Sequence, residues 1–127
     1  MLISAYTAQT TQTNVVVGNQ PSVPALSVFG WTVFMQRTGL SVDWKLPWAS
    51  YKNGFGSAGS DFWLGLERLH LLTSSAAYRL RVELQWTKDN SRSSVEYNSF
   101  VIGDETTTKY QLNLSGFVIL HHLYLTL

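Results

Sequence analysis

Alternation is strongest at YRLRVELQW, residues 78–86, where Tyr78, Leu80, Val82, Leu84 and Trp86 alternate with Arg79, Arg81, Glu83 and Gln85. A strict period of two over this length predicts an antiparallel strand with one buried and one wet face. Lys88, Asp89, Asn90 and Ser91 read as the turn that follows, and SVEYNSFVI as the returning strand. The face of that strand switches near Ser99 and Phe100, which predicts a bulge. Gly103, Asp104 and Glu105 form a second turn signal. YQLNLSGF then reads as a last strand with Tyr110, Leu112 and Leu114 inward.

Upstream, WTVFMQR has high β propensity, with Trp31, Val33 and Met35 on one face. Pro47 is suited to open a short helix over WASYK that Gly54 closes. Ser60 reads as the N-cap of a second helix, with Asp61 at its positive end. Phe62, Leu66 and Leu69 follow at i, i+4 and i+7, and Leu72 extends the stripe. Gly65 costs such a helix about 1 kcal/mol relative to Ala, so close backbone packing is the expected reason for it. Residues 1–29 are rich in Thr, Gln, Ser, Asn and Val without a sustained period, and read as a flexible arm. Strands and two short helices without β-α-β alternation predict an α+β fold on an antiparallel sheet. The expected core is Trp31, Phe34, Phe62, Trp63, Leu66, Leu69, Leu80, Val82 and Leu84.

At 127 residues the chain is one domain at most. A chain of this size buries about two-thirds of its unfolded surface. A hydrophobic share of 45% against 13% charged residues is that of a globular chain. Nine basic and eight acidic residues are scattered, with no basic stripe for phosphates, so no nucleic-acid partner is expected. No cysteine is present, which removes disulfides, thiolate zinc sites and cysteine nucleophiles. Neither end carries a signal-peptide pattern. VILHHLYLTL is apolar over only half a membrane span, so no membrane partner is expected.

No catalytic, cofactor or metal residue is assigned. Gly54, Gly56 and Gly59 fit G-x-G-x-x-G. A dinucleotide loop, however, follows an apolar strand, and here PWASYKN precedes it. A helical turn separates Glu67 from His70, a weak general-base pairing beside the commoner satisfied helix histidine. His121 and His122 are adjacent and would point to opposite faces of a strand, which argues against one metal site. Asp104 and Glu105 are the densest acidic group and read as a turn. Asn113 heads a formal glycosylation sequon inside the expected last strand.

GWTVFMQR, SVDW, W-x-x-YKNGFG, DFWLGLERLHLLTS, YRLRVEL, Y-x-SF-x-IGDE and KYQLNLSGF together resemble the fibrinogen C-terminal domain family, which includes fibrinogen chains, ficolins, tenascins and angiopoietins. The resemblance covers residues 30–117 and leaves 118–127 as an unmatched apolar tail. It implies a secreted, non-enzymatic recognition module for protein or glycan ligands, with lectin-like, immune or adhesive roles. It also implies that GFG and FWLGL are a helix-loop-helix and a core helix. The family's calcium loop and ligand pocket belong to a C-terminal subdomain that maps to no position here, so no calcium is expected. The family's usual cysteine before the GWTVF strand is replaced by VPALSVF. The chain is thus expected to be a fragment of such a module. The alternative is a short isoform acting as a self-associating or dominant-interfering subunit.

Overall fold

The computed structural model describes residues 2–9, 27–28, 30–39, 42–57 and 59–123. They form one antiparallel sheet with three short helices. In chain order the elements are β1 (Leu2–Gln9), β2 (Ser27–Val28), β3 (Trp31–Arg37), α1 (Trp48–Asn53), β4 (Phe55–Gly56), β5 (Phe62–Trp63), α2 (Leu66–Ser75), β6 (Tyr78–Gln85), β7 (Arg92–Ile102), α3 (Glu105–Thr108) and β8 (Leu112–Leu123). The sheet runs β4-β5-β3-β1-β6-β7-β8, with β2 also against β3.

The expected flexible arm is corrected at its start: residues 2–9 are the central strand of the sheet. β1 pairs with β3 on one side and with β6 on the other, from Leu2 opposite Gln85 to Gln9 opposite Tyr78. Its own side chains hid it. Ala5, Thr7 and Ala8 are buried, and a strand filled with small residues has no bold alternation. Thr7 is fully buried, and its hydroxyl donates to the Arg79 carbonyl at 2.9 Å, so the polar group is satisfied. Residues 10–26 of the expected arm lie outside the described residues.

The second helix is also shorter than its apolar spacing predicts. Residues 62–63 are strand β5, α2 starts at Leu66, and Gly65 rather than Ser60 stands at its N-cap. The glycine pattern explains the difference. Gly65 has φ 110°, and a Cβ there would lie 2.8 Å from the Asn53 carbonyl carbon. Gly54, at φ 93°, closes α1 by donating its N–H to the Ser50 carbonyl. The chain leaving α1 and the chain entering α2 therefore pass in backbone contact, which only glycine permits. The G-x-G-x-x-G match is thus the β4–β5 hairpin.

The core lies between the sheet and the helices. Phe34, Phe62, Leu69 and Leu80 are in its buried cluster with Phe100, Ile102 and Tyr110, while Trp63, Leu66 and Val82 pack half-buried against it. Phe34 stacks on Phe100 at 5.6 Å and meets Trp63 edge-on at 6.0 Å. Trp31 and Leu84, expected inside, are half-exposed and outside this cluster. Trp31 instead lies under the Arg79 guanidinium at 4.3 Å. Leu84 lies towards the far end of β6, beside Leu2 and Gln85. Thr73 of α2 accepts from the Ile102 N–H and donates to the Leu69 carbonyl, fastening the helix to β7.

Candidate functional site

Among the described residues, the candidate groups at His70, Glu67, Asp104 and Glu105 each have a structural partner. The His70 Nδ1 lies 2.8 Å from the Ile102 carbonyl oxygen, so that nitrogen donates, and Glu67 turns elsewhere. Glu67 accepts from the buried Tyr110 hydroxyl, which also reaches Glu105 at 3.4 Å. Burial first, and then the hydrogen bond to Glu67, pushes the Tyr110 hydroxyl well above the usual phenol range. Glu105 is paired with Lys52 at 2.6 Å and accepts from the Trp48 indole N–H at 3.3 Å. The turn expected at Asp104 and Glu105 is a helix start. Asp104 caps α3 by accepting from the Thr107 N–H at 2.6 Å. Tyr110 follows in a left-handed conformation at φ 59°, so it precedes the last strand while still pointing inward.

Among the described residues no group of three or more His, Cys, Asp or Glu side chains converges as a metal site requires. The two acids of the densest pair already serve a cap and an ion pair. His121 and His122 fall on β8, within residues whose side chains are not described.

Asp61 is a structural anchor, where the sequence places it at the positive end of the second helix. It is 1% exposed, and its carboxylate accepts from the Thr38 N–H and hydroxyl, both at 2.7 Å, and from the Gly39 N–H at 3.0 Å. Burial alone pushes its carboxyl up, but the Thr38 and Gly39 hydrogen bonds outweigh that and hold it below the usual range. Asp61 fixes the turn after β3 to β5.

Among the described residues, two features of the sheet are exposed to solvent. On the polar face, Arg81 bridges Glu83 at 2.8 Å and Glu96 at 3.0 Å, and Tyr6 donates to Glu83. A shallow cavity of 170 Å³ beside them is bounded by Ser4, Tyr6, Glu83, Gln85 and Arg92. On the other face, β8 carries Leu112, Leu114 and Phe117, exposed at 54%, 36% and 55%. Leu112 and Leu114 stand opposite Ile102 and Phe100, which are buried. Their inward direction is as the sequence predicts, but their burial is not, because β8 is the edge of the sheet beyond the helices. Asn113, between them, is exposed.

Residues 25–120 match the family described as fibrinogen beta and gamma chains, C-terminal globular domain. The chain belongs to the fibrinogen C-terminal domain family. It is 47% identical over 87 residues to Ryncolin-4 of Cerberus rynchops, covering 68% of this chain and 25% of that protein. It is 43% identical over 89 residues to Angiopoietin-4 of Bos taurus, covering 69% and 17%. The family's fold is seen in two solved structures. The fibrinogen-like globe domain of human ANGPTL6 superposes with a TM-score of 0.67 at 34% identity, over 70% of this chain and 39% of that one. That of human ANGPTL2 gives 0.66 at 34%, over 74% and 41%. The chain spans a quarter or less of the length of these curated relatives. No helix among its described residues is long and apolar enough to cross a membrane.

Proposed function

We propose that the chain is the scaffold segment of a non-enzymatic, extracellular recognition module of the fibrinogen-related type, serving protein or glycan ligands. The match over residues 25–120 carries this reading. The engaged state of Glu67, Asp104 and Glu105 supports it, since each carboxylate already serves a hydrogen bond, a helix cap or an ion pair. The family's calcium loop and ligand pocket have no counterpart among these residues, so the segment by itself holds neither calcium nor an acetylated sugar. Thermal melting of the intact chain with millimolar calcium, with and without chelator, and with N-acetylglucosamine tests this. A site filled a hundredfold above its Kd adds about 2.7 kcal/mol of stability. A flat response is expected, and a chelator-reversible rise of several degrees would overturn the reading.

The exposed leucines of β8 favour a second reading, a subunit that associates through this strand. After Lys109 no charged Asp, Glu, Lys or Arg occurs to the end of the sequence. Nothing along the strand therefore repels a second apolar edge.

A further inference from the structure

The central strand and the family segment are different parts of the chain. β1 is residues 2–9, and the family match begins at residue 25. Without β1, the matched segment would hold two unpaired inner edges, β3 and β6, separated by one missing strand. The gap is specific. Ala5, Thr7 and Ala8 are 5%, 0% and 7% exposed, so small side chains occupy its buried positions. Tyr6, Thr7 and Gln9 each add a hydrogen bond to β6, on Glu83, the Arg79 carbonyl and the Tyr78 hydroxyl. Both ladders and these three contacts are made by a strand joined to β2 through residues 10–26.

We propose that the gap between β3 and β6 is a strand-acceptor site whose partner in trans is β1 of a second copy, giving a reciprocally strand-exchanged dimer. The contacts in the closed and exchanged forms are the same, so linkage decides between them. β1 and β2 flank β3, and the ends to be joined are about 10 Å apart, two strand spacings. The seventeen linking residues can reach about 56 Å. A tether of this kind presents its own strand at an effective concentration on the order of 1 mM. The closed form therefore prevails at micromolar concentration, and exchange becomes competitive near millimolar. Withdrawing a strand bonded on both sides breaks two ladders at once, so an exchanged dimer persists on dilution. This inference is independent of the recognition reading.

The absence of cysteine allows a direct test. Ser4 and Glu83 are Cα partners across β1 and β6. The full chain carrying Ser4→Cys and Glu83→Cys is refolded, oxidised, and run under denaturing, non-reducing conditions. Refolding at about 1 µM should give bridged monomer. At about 1 mM roughly half should be a covalent dimer, the share expected when concentration equals that of the tethered strand. Bridged monomer alone at the higher concentration would overturn the proposal. So would dimers that fall apart in denaturant to bridged monomers, since these associate through another surface such as β8. The cysteine-free chain provides a measurement that does not depend on the double variant folding. Refolded at the same concentration, it should yield a dimer that survives dilution. A tenfold excess of a peptide of residues 2–9 should suppress it, and the same peptide with Thr7→Lys should not. No dimer, or suppression by neither peptide or by both, would reject the exchange.

Discussion

At the scale of single residues, the backbone and one carboxylate decide more than the sequence pattern shows. Asp61→Asn would replace one carboxylate oxygen by an amide donor facing the N–H groups of Thr38 and Gly39. Losing charge-assisted bonds at a buried site costs about 2–3 kcal/mol. The sign with pH follows from the lowered carboxyl of Asp61. Its ionisation stabilises the fold above the unfolded value of about 4, and that stabilisation is lost as pH falls through the lower folded value. Urea melts of both chains should differ clearly at pH 7 and draw together as the pH is lowered through the folded-state value of Asp61. Gly65→Ala meets both a φ of 110° and the Asn53 backbone. Strain of that kind costs about 1–3 kcal/mol, to be read as a lower urea midpoint. Gly65 was marked in the sequence as a place of close packing. Its role as the entry to α2 depends on the crossing of two segments that lie far enough apart in sequence to hide it.

At the scale of elements, α2 and β6 show how far periodicity reaches. Leu69 is 1% exposed and Leu71, two residues on, is 47% exposed. Leu69→Ala should destabilise by about 2–5 kcal/mol. Leu71→Ala should stay within about 0.5 kcal/mol. Equal losses in the two melts would mean the helix faces are misassigned. On β6 the alternating pattern gave the two faces, and Arg81 lies on the polar one with its two carboxylate partners. Arg81→Gln should therefore cost less than about 1 kcal/mol, as half-exposed ion pairs do, and less in high salt. Phe62 was legible as core but not as strand. Its spacing to Leu66 and Leu69 imitates a helix, and pairing of residues 62–63 with β3 and β4 overrides it.

At the scale of the whole molecule, the open edge is the feature with consequences. β8 is twelve residues long, lies at the end of the sheet, and exposes Leu112, Leu114 and Phe117. Sedimentation of the intact chain at tens of micromolar, roughly the range where such edges associate, should show species larger than a monomer. Leu112→Lys with Leu114→Lys should shift it towards monomer, because charges facing an edge oppose strand pairing. A monomeric parent chain at that concentration would contradict association through β8. The expected tail was only partly separate, since residues 118–123 continue β8, while 124–127 lie outside the described residues.

The sequence by itself determined the α+β class, the strand of β6 with Tyr78 and Leu80 inward, the helix over 48–53, and the family, because these rest on local periods and ordered motifs. It also holds no cysteine and no basic stripe. Only the tertiary structure decided that residues 2–9 are the central strand. Their pairing is made by backbone groups of β3 and β6, and small buried side chains leave no hydrophobic period to read. It likewise decided that Leu112 and Leu114 face the core side yet remain exposed. A strand's direction follows from alternation, but its burial depends on what the rest of the fold lays over it.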